Sequence, residues 1–211
     1  KHAGAVSIHV SNLLNFSKFS KTTKIFGNTK RNKYLTNRYV NIKIKEKIFT
    51  SSNKKYVQKF INLNKTCLPD LVEVHNRPSY IQMIKEKLST KIVLYFHNNP
   101  LTLLGSKSKK DRLKLLNSCD FIFFNSKWTK DKFFSDFDEK SYLSKFAICY
   151  QSTKKQDVKL NDKRNIITFV GKLNSSKGYD LFGKASLKIL KNYEDWKVYV
   201  FGDEPREKLN F

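Results

Sequence analysis

Two lysines stand where an apolar run turns into a helix-forming stretch. Residues 166–182 read IITFVGKLNSSKGYDLF, with Gly171 closing the apolar run and Lys172 and Lys177 flanking a short polar loop. A helix start carries a partial positive charge and unsatisfied backbone amides, so cations placed beside it make a seat for a phosphate pair. In a chain this rich in lysine the same pair also reads as two solvated surface charges. The loop is not a P-loop, because GxxxxGK[ST] is absent.

In parallel α/β sheets, ligands bind beyond the carboxyl ends of the strands. The residues that follow each apolar run are therefore the other candidates. His97 ends the run 91–96 and is suited to a hydroxyl or to proton transfer near a reacting centre; the competing reading is a half-buried or capping histidine. His75, Asn76 and Arg77 end the run 71–75 and suit ligand contact, or else form a turn before Pro78. Asn98 follows His97, and Ser126 follows the run 121–124, where it reads as a helix cap rather than a nucleophile because no GxSxG elbow surrounds it. Gly4 precedes a helical pattern and suits a close approach of backbone to ligand. Asp180 reads as surface, and Asp203 with Glu204 as a solvated acidic turn; no metal-ligand spacing is present.

The elements that must position these residues follow from periodicity. Helical spacing of Val6, Val10, Leu13 and Leu14 predicts a helix over 5–16. Short strands are expected at 22–26 and 39–44, and a helix around Tyr56, Phe60, Ile61 and Leu63. Strands at 71–75, 91–96, 121–124 and 146–150 alternate with helices from Pro78 to about residue 88, over 111–116, and from the Asn125-Ser126 cap to residue 134. Residues 101–108, with Gly105, read as a loop. This alternation is that of an α/β protein with a mainly parallel sheet. Residues 151–164 are polar and charged and read as a linker, after which a strand–helix–strand pattern restarts. The expected organisation is a Rossmann-like domain over 1–150, the linker 151–164, and the start of a second Rossmann-like domain over 165–211.

The net charge of +24 invites a nucleic-acid partner. The excess is lysine rather than arginine and is spread along the whole chain, whereas nucleic-acid readers concentrate charge and favour arginine. No specific nucleic acid is expected; contact with an anionic membrane surface is the physical consequence that remains. Apolar residues make up 39% of the 211, enough for a core. Cys67, Cys119 and Cys149 are dispersed and form no metal or disulfide pattern, which points to a reduced compartment, the cytoplasm. No apolar run approaches the roughly 18–20 residues of a membrane helix.

With these residues in hand, the chain resembles the family 4 glycosyltransferases of GT-B architecture. FVGKLNSSKGYDLF is similar to that family's FVGRL-x3-KG-x-DLL signature, and VYVFGDEPRE to the strand end that follows it. FFNSKWTKDKF, VEVHNRPSY and AGAVSIHVSNLL resemble a late first-domain strand and its helix, a strand of lipopolysaccharide and cell-envelope members, and the amino-terminal glycine loop.

The resemblance implies a GT-B-like fold and transfer of a sugar, with retention, from a nucleotide-diphosphate donor to a glycan or lipid-linked acceptor of the cell envelope. It implies that Lys172, Lys177 and Gly4 bind the donor diphosphate. His97 would be catalytic, facing the donor sugar, while His75, Asn76, Arg77, Asn98 and Ser126 would lie on the sugar or acceptor side. No metal and no cofactor are expected beyond the nucleotide sugar as co-substrate. Lys172 stands where the family has arginine, which keeps the charge but not the bidentate fork. The resemblance also implies a chain cut at both ends, lacking the paired glutamates of the donor site and inactive alone. A basic nucleic-acid-binding module and a non-catalytic α/β fragment are the competing readings.

Overall fold

A computed structural model describes residues 4–44, 51–152, 157, 161 and 163–202. The chain divides into two compact units, Lys1–Thr153 and Lys154–Phe211.

The first unit opens with helix α1 (Ala5–Phe16), followed by a two-stranded parallel pair, β1 (Ile25–Gly27) and β2 (Tyr39–Asn41). β1 is shorter at its start than the expected strand, because Thr22 and Thr23 turn back and bond the Phe19 carbonyl through both amide and hydroxyl. Helix α2 (Ser52–Asn64) buries Val57, Phe60, Ile61 and Asn64, the i, i+3, i+4, i+7 stripe of an amphipathic helix. It is longer than the expected helix, starting one turn before Tyr56.

The main sheet is four parallel strands in sequence order: β3 (Leu71–His75), β4 (Lys91–Phe96), β5 (Phe121–Phe124) and β6 (Phe146–Ile148). β6 stops short of the expected residue 150, although Cys149 N–H still bonds the Phe124 carbonyl. The connections carry α3 (Ile81–Lys87), entered through a 3₁₀ turn at Pro78–Tyr80, then α4 (Lys109–Ser118) and α5 (Lys127–Phe133). A capping box between Ser108 and Asp111 starts α4, and the Ser126 hydroxyl accepts the Thr129 amide to start α5. Residues 101–108 are not wholly irregular, since a 3₁₀ turn at Pro100–Thr102 is capped by the Asn99 side chain. A 3₁₀ segment at Lys140–Lys145, unexpected from periodicity, leads into β6.

The core packs around β4. Ile92, Leu94 and Phe96 are fully buried, with Ile61, Ile81, Leu116, Ile122, Phe124 and Phe133 around them. That is the continuous apolar strand of a parallel sheet covered on both faces.

The second unit holds β7 (Ile166–Val170), a 3₁₀ turn at Ser175–Lys177, helix α6 (Tyr179–Asn192) and β8 (Lys197–Phe201). β7 and β8 pair in parallel across the helical connection, so this is one β-α-β unit. Its strands are more exposed than their apolar sequences suggest, with Val170 at 77% and Phe201 at 58%.

Candidate functional site

The carboxyl ends of β3, β4 and β5 are held by asparagines. Asn76 follows β3 and adopts a left-handed conformation, φ 57°, that non-glycine residues rarely enter. The turn brings its side chain over the end of β4. There Asn76 Oδ1 accepts the backbone N–H of His97 at 3.3 Å and that of Asn98 at 3.2 Å. From the other side Asn125 Nδ2 donates to the His97 carbonyl at 3.0 Å, and the Thr129 hydroxyl fixes Asn125 at 2.6 Å. The backbone of His97 is thus clamped by the strand ends on either side of it.

The histidines meet at the same place. The parallel register sets His75 opposite Tyr95, and His97 lies two residues beyond Tyr95. The rings of Tyr95 and His97 stack at 4.4 Å, and His75 stacks against both, at 5.5 and 5.2 Å. His75 Nδ1 and His97 Nε2 are 2.8 Å apart. His75 Nε2 lies 2.8 Å from Glu73 Oε1, and Gln151 Nε2 lies 2.6 Å from His97 Nδ1. The Tyr95 hydroxyl donates to the Cys149 carbonyl. His9 of α1 completes the group, its ring edge-on to Tyr95 and His97 at 5.5 and 5.4 Å. Its buried Nε2 has no hydrogen-bond partner among the described residues.

This packing changes the face on which α1 docks. Spacing pointed to Val6, Val10, Leu13 and Leu14, yet the buried residues are His9, Ser11 and Leu14, while Leu13 is 42% exposed. The helix therefore buries His9 and Ser11 along with Leu14, which brings a polar group to the sheet end.

Electrostatics follow from burial. His97 is pushed down to about 3, first by burial and then by the neighbouring His75 and His9. His9 is also lowered, mainly by burial and then by His75, against an opposing pull from Glu73. Burial works to raise Glu73, but the His75 hydrogen bond and the surrounding histidines outweigh it, and its carboxyl lies below the ordinary value. Burial first, and then the bond to Cys149, push the Tyr95 phenol up.

The remaining candidates are placed as follows. His97 is buried rather than half-buried, and it caps no helix. Asn98 and Arg77 are exposed, and the Arg77 guanidinium donates to the Asn76 carbonyl. Ser126 is the cap of α5. Gly4 begins α1 in an ordinary extended conformation, and an added Cβ would meet nothing within 4 Å, so the fold makes no close-approach demand there.

In the second unit Lys172 and Lys177 are both exposed on the loop between β7 and α6. Gly178 turns the chain into α6 with φ 71°. The amides of Lys177, Gly178 and Tyr179 already bond the carbonyls of Asn174 and Ser175, because the chain tightens into a 3₁₀ turn before the helix. They are therefore engaged in the turn rather than free for an anion. Gly202, just past β8, is demanded by packing: a Cβ there would lie 2.3 Å from the Gly171 carbonyl oxygen. Asp180 is half-buried rather than surface, and Asp203 and Glu204 lie outside the described residues. Among the described residues no group of three or more His, Cys, Asp or Glu is placed to hold a metal ion, and no helix is long and apolar enough to cross a membrane.

Sequence reasoning missed Glu73, Tyr95, His9 and Gln151. Glu73 and His75 are two apart on one strand and share a face, which was a readable signal. Gln151 reaches His97 from 54 residues away and left none.

Residues 151–210 match the family model described as Glycosyl transferases group 1. The chain also shows likeness to two solved structures. One is that of accessory secretory protein 1, 2 and 3 in Streptococcus pneumoniae (TM-score 0.49, 11% identity, covering 72% of this chain and 31% of that one). The other is an S. aureus MnaA–UDP co-structure (TM-score 0.45, 14% identity, covering 80% and 49%). The chain thus spans about a third and about half of the lengths of these two. No curated protein matches the chain.

Proposed function

We propose that this protein is a glycosyltransferase that moves a sugar from a nucleotide-diphosphate donor to a glycan or lipid-linked acceptor. The observation that carries the reading is the match of residues 151–210 to group 1 glycosyl transferases. The β7–loop–α6–β8 unit that holds Lys172 and Lys177 lies inside that segment.

Departure of a nucleoside diphosphate places negative charge on the leaving oxygen. Lys172, Lys177 and the positive end of α6 are the groups in that segment suited to stabilise the charge as it develops, in place of a metal ion. With three of the turn amides engaged, we assign the larger share to the ammonium groups. In the first unit, His97 is the group for the donor sugar, held by Asn76 and Asn125. His75, Asn98, Arg77 and Ser126 lie at or beside the same strand ends, and Gly4 begins the helix that brings His9 there. Transfer proceeds with retention, on an envelope glycan such as lipopolysaccharide, by a cytoplasmic protein whose basic surface favours an anionic membrane.

Calorimetric titration with UDP, GDP and ADP tests the reading. One of the three should bind, and Lys172→Ala with Lys177→Ala should weaken it by about tenfold or more per lysine, the worth of a charge-assisted hydrogen bond. Binding indifferent to both substitutions would overturn the role given to the pair.

A further inference from the structure

Glu73, His75, His97 and Gln151 form one unbroken hydrogen-bonded line across the ends of β3 and β4. The polarity of such a line is set at its ends. An ionised carboxylate accepts and never donates, so the His75 Nε2 that faces Glu73 carries the proton. When that is the one ring proton of His75, its Nδ1 is bare and accepts from His97, so that His97 carries its own proton on Nε2. That leaves His97 Nδ1 bare, and the amide nitrogen of Gln151 donates to it. The groups around the line are the rings of His9 and Tyr95, and the burial they provide keeps His97 neutral.

We propose that Glu73 and His75 are positioning residues that fix the Nε2–H tautomer of His97, so that its Nδ1 is presented as a hydrogen-bond acceptor. Gln151 is exposed and occupies that acceptor in the free protein. A ligand reaching His97 must replace the amide with another donor. The site therefore takes a neutral hydroxyl and repels an anionic oxygen, which makes it a sugar subsite and not a phosphate subsite. The tautomer assignment rests on the line of contacts and on the carboxylate at its end, while the step to a sugar hydroxyl rests on the transferase reading.

The test is long-range ¹H–¹⁵N correlation spectroscopy on the free, ¹⁵N-histidine-labelled protein, which has only 4 histidines. His97 should show a pyridine-like Nδ1 and a pyrrole-like Nε2 at neutral pH. In Glu73→Gln, whose amide accepts or donates with equal ease, the two resonances should move toward each other as both tautomers become populated. His75→Phe keeps the stacked ring but removes the acceptor, and should release the His97 proton in the same way. A His97 with its proton on Nδ1 in the unaltered protein would overturn the proposal, whether or not either variant folds. Resonances unchanged in both variants would overturn it too. No ligand enters the measurement, so its failure leaves the transferase reading standing, and loss of nucleotide binding leaves the tautomer standing.

Discussion

Strands β4 and β7 are both short, apolar and parallel-paired, and both end at a candidate ligand position, yet they are built differently. β4 is enclosed, with Ile92, Leu94 and Phe96 fully buried, and the histidine beyond it is clamped by side chains from two neighbouring strand ends. β7 lies more open, with Val170 at 77% exposure, and the lysines beyond it stand on an exposed loop. The difference separates two kinds of candidate position. At the first, a buried histidine is held in a hydrogen-bonded line whose outer members, Glu73 and Gln151, reach the surface, so geometry decides. At the second, charge stands at the surface, where attraction depends on salt and little on exact position.

The contrast can be broken by substitution. Phe96→Ala should cost about 3–5 kcal/mol and unfold the first unit at lower denaturant, as deletions of fully buried aromatics do. Val170→Ala should change the stability of the second unit by no more than about 0.5 kcal/mol. Equal losses in urea titrations of the two variants would remove the distinction between the strands. Gly202→Ala sits between them. Its Cβ would press on the Gly171 carbonyl oxygen and on Leu173, so the end of the β7–β8 pair must shift, at a cost of about 1–3 kcal/mol.

A pH series sharpens the comparison further. The unfolded chain protonates His97 near the ordinary histidine value of about 6.5, whereas the folded protein resists until about 3. Between these values the unfolded state binds more protons, so stability is fully present above about 6.5 and is lost as pH falls toward 3. Glu73, lowered in the fold, adds a loss of the same sign at the acid end, present above its unfolded value and lost through its folded one. Thermal melts of His97→Asn should show a flatter acid limb than the unaltered protein. An identical limb would place the proton uptake elsewhere. The smallest effect belongs to the loop, where Lys172→Ala and Lys177→Ala should leave melting temperatures within the range of ordinary surface changes while altering nucleotide binding.

Much of the scaffold could be read directly. The runs 71–75, 91–96 and 121–124 became strands with the expected bounds: β4 is buried along nearly its whole length and needs uninterrupted apolar residues, while β3 and β5 bury alternate residues, the period of a strand with one covered face. The helix over 5–16 was legible from spacing, but its orientation was not. Periodicity identifies an apolar stripe, and here the docked face keeps Leu14 of that stripe but is completed by His9 and Ser11. Where hydroxyls competed for carbonyls, at Thr22 and Thr23, the strand boundary moved, since local side-chain bonds offered the backbone another partner.

Chemistry-bearing residue types at strand ends were visible in the order of the chain: the lysines after β7, the histidines at the end of β3 and just past β4, and the asparagines beside them. Local pattern carries that information because strand length and turn residues are written in adjacent positions. Which of those groups touch was a matter for the folded molecule. The line from Glu73 to Gln151 is assembled by parallel pairing and by a chain segment returning after β6, so its members are neighbours in space through register and packing, which residue order does not encode. Burial completes the distinction: a histidine and a lysine look equally available in sequence, and only packing makes the one neutral and clamped and leaves the other exposed to water.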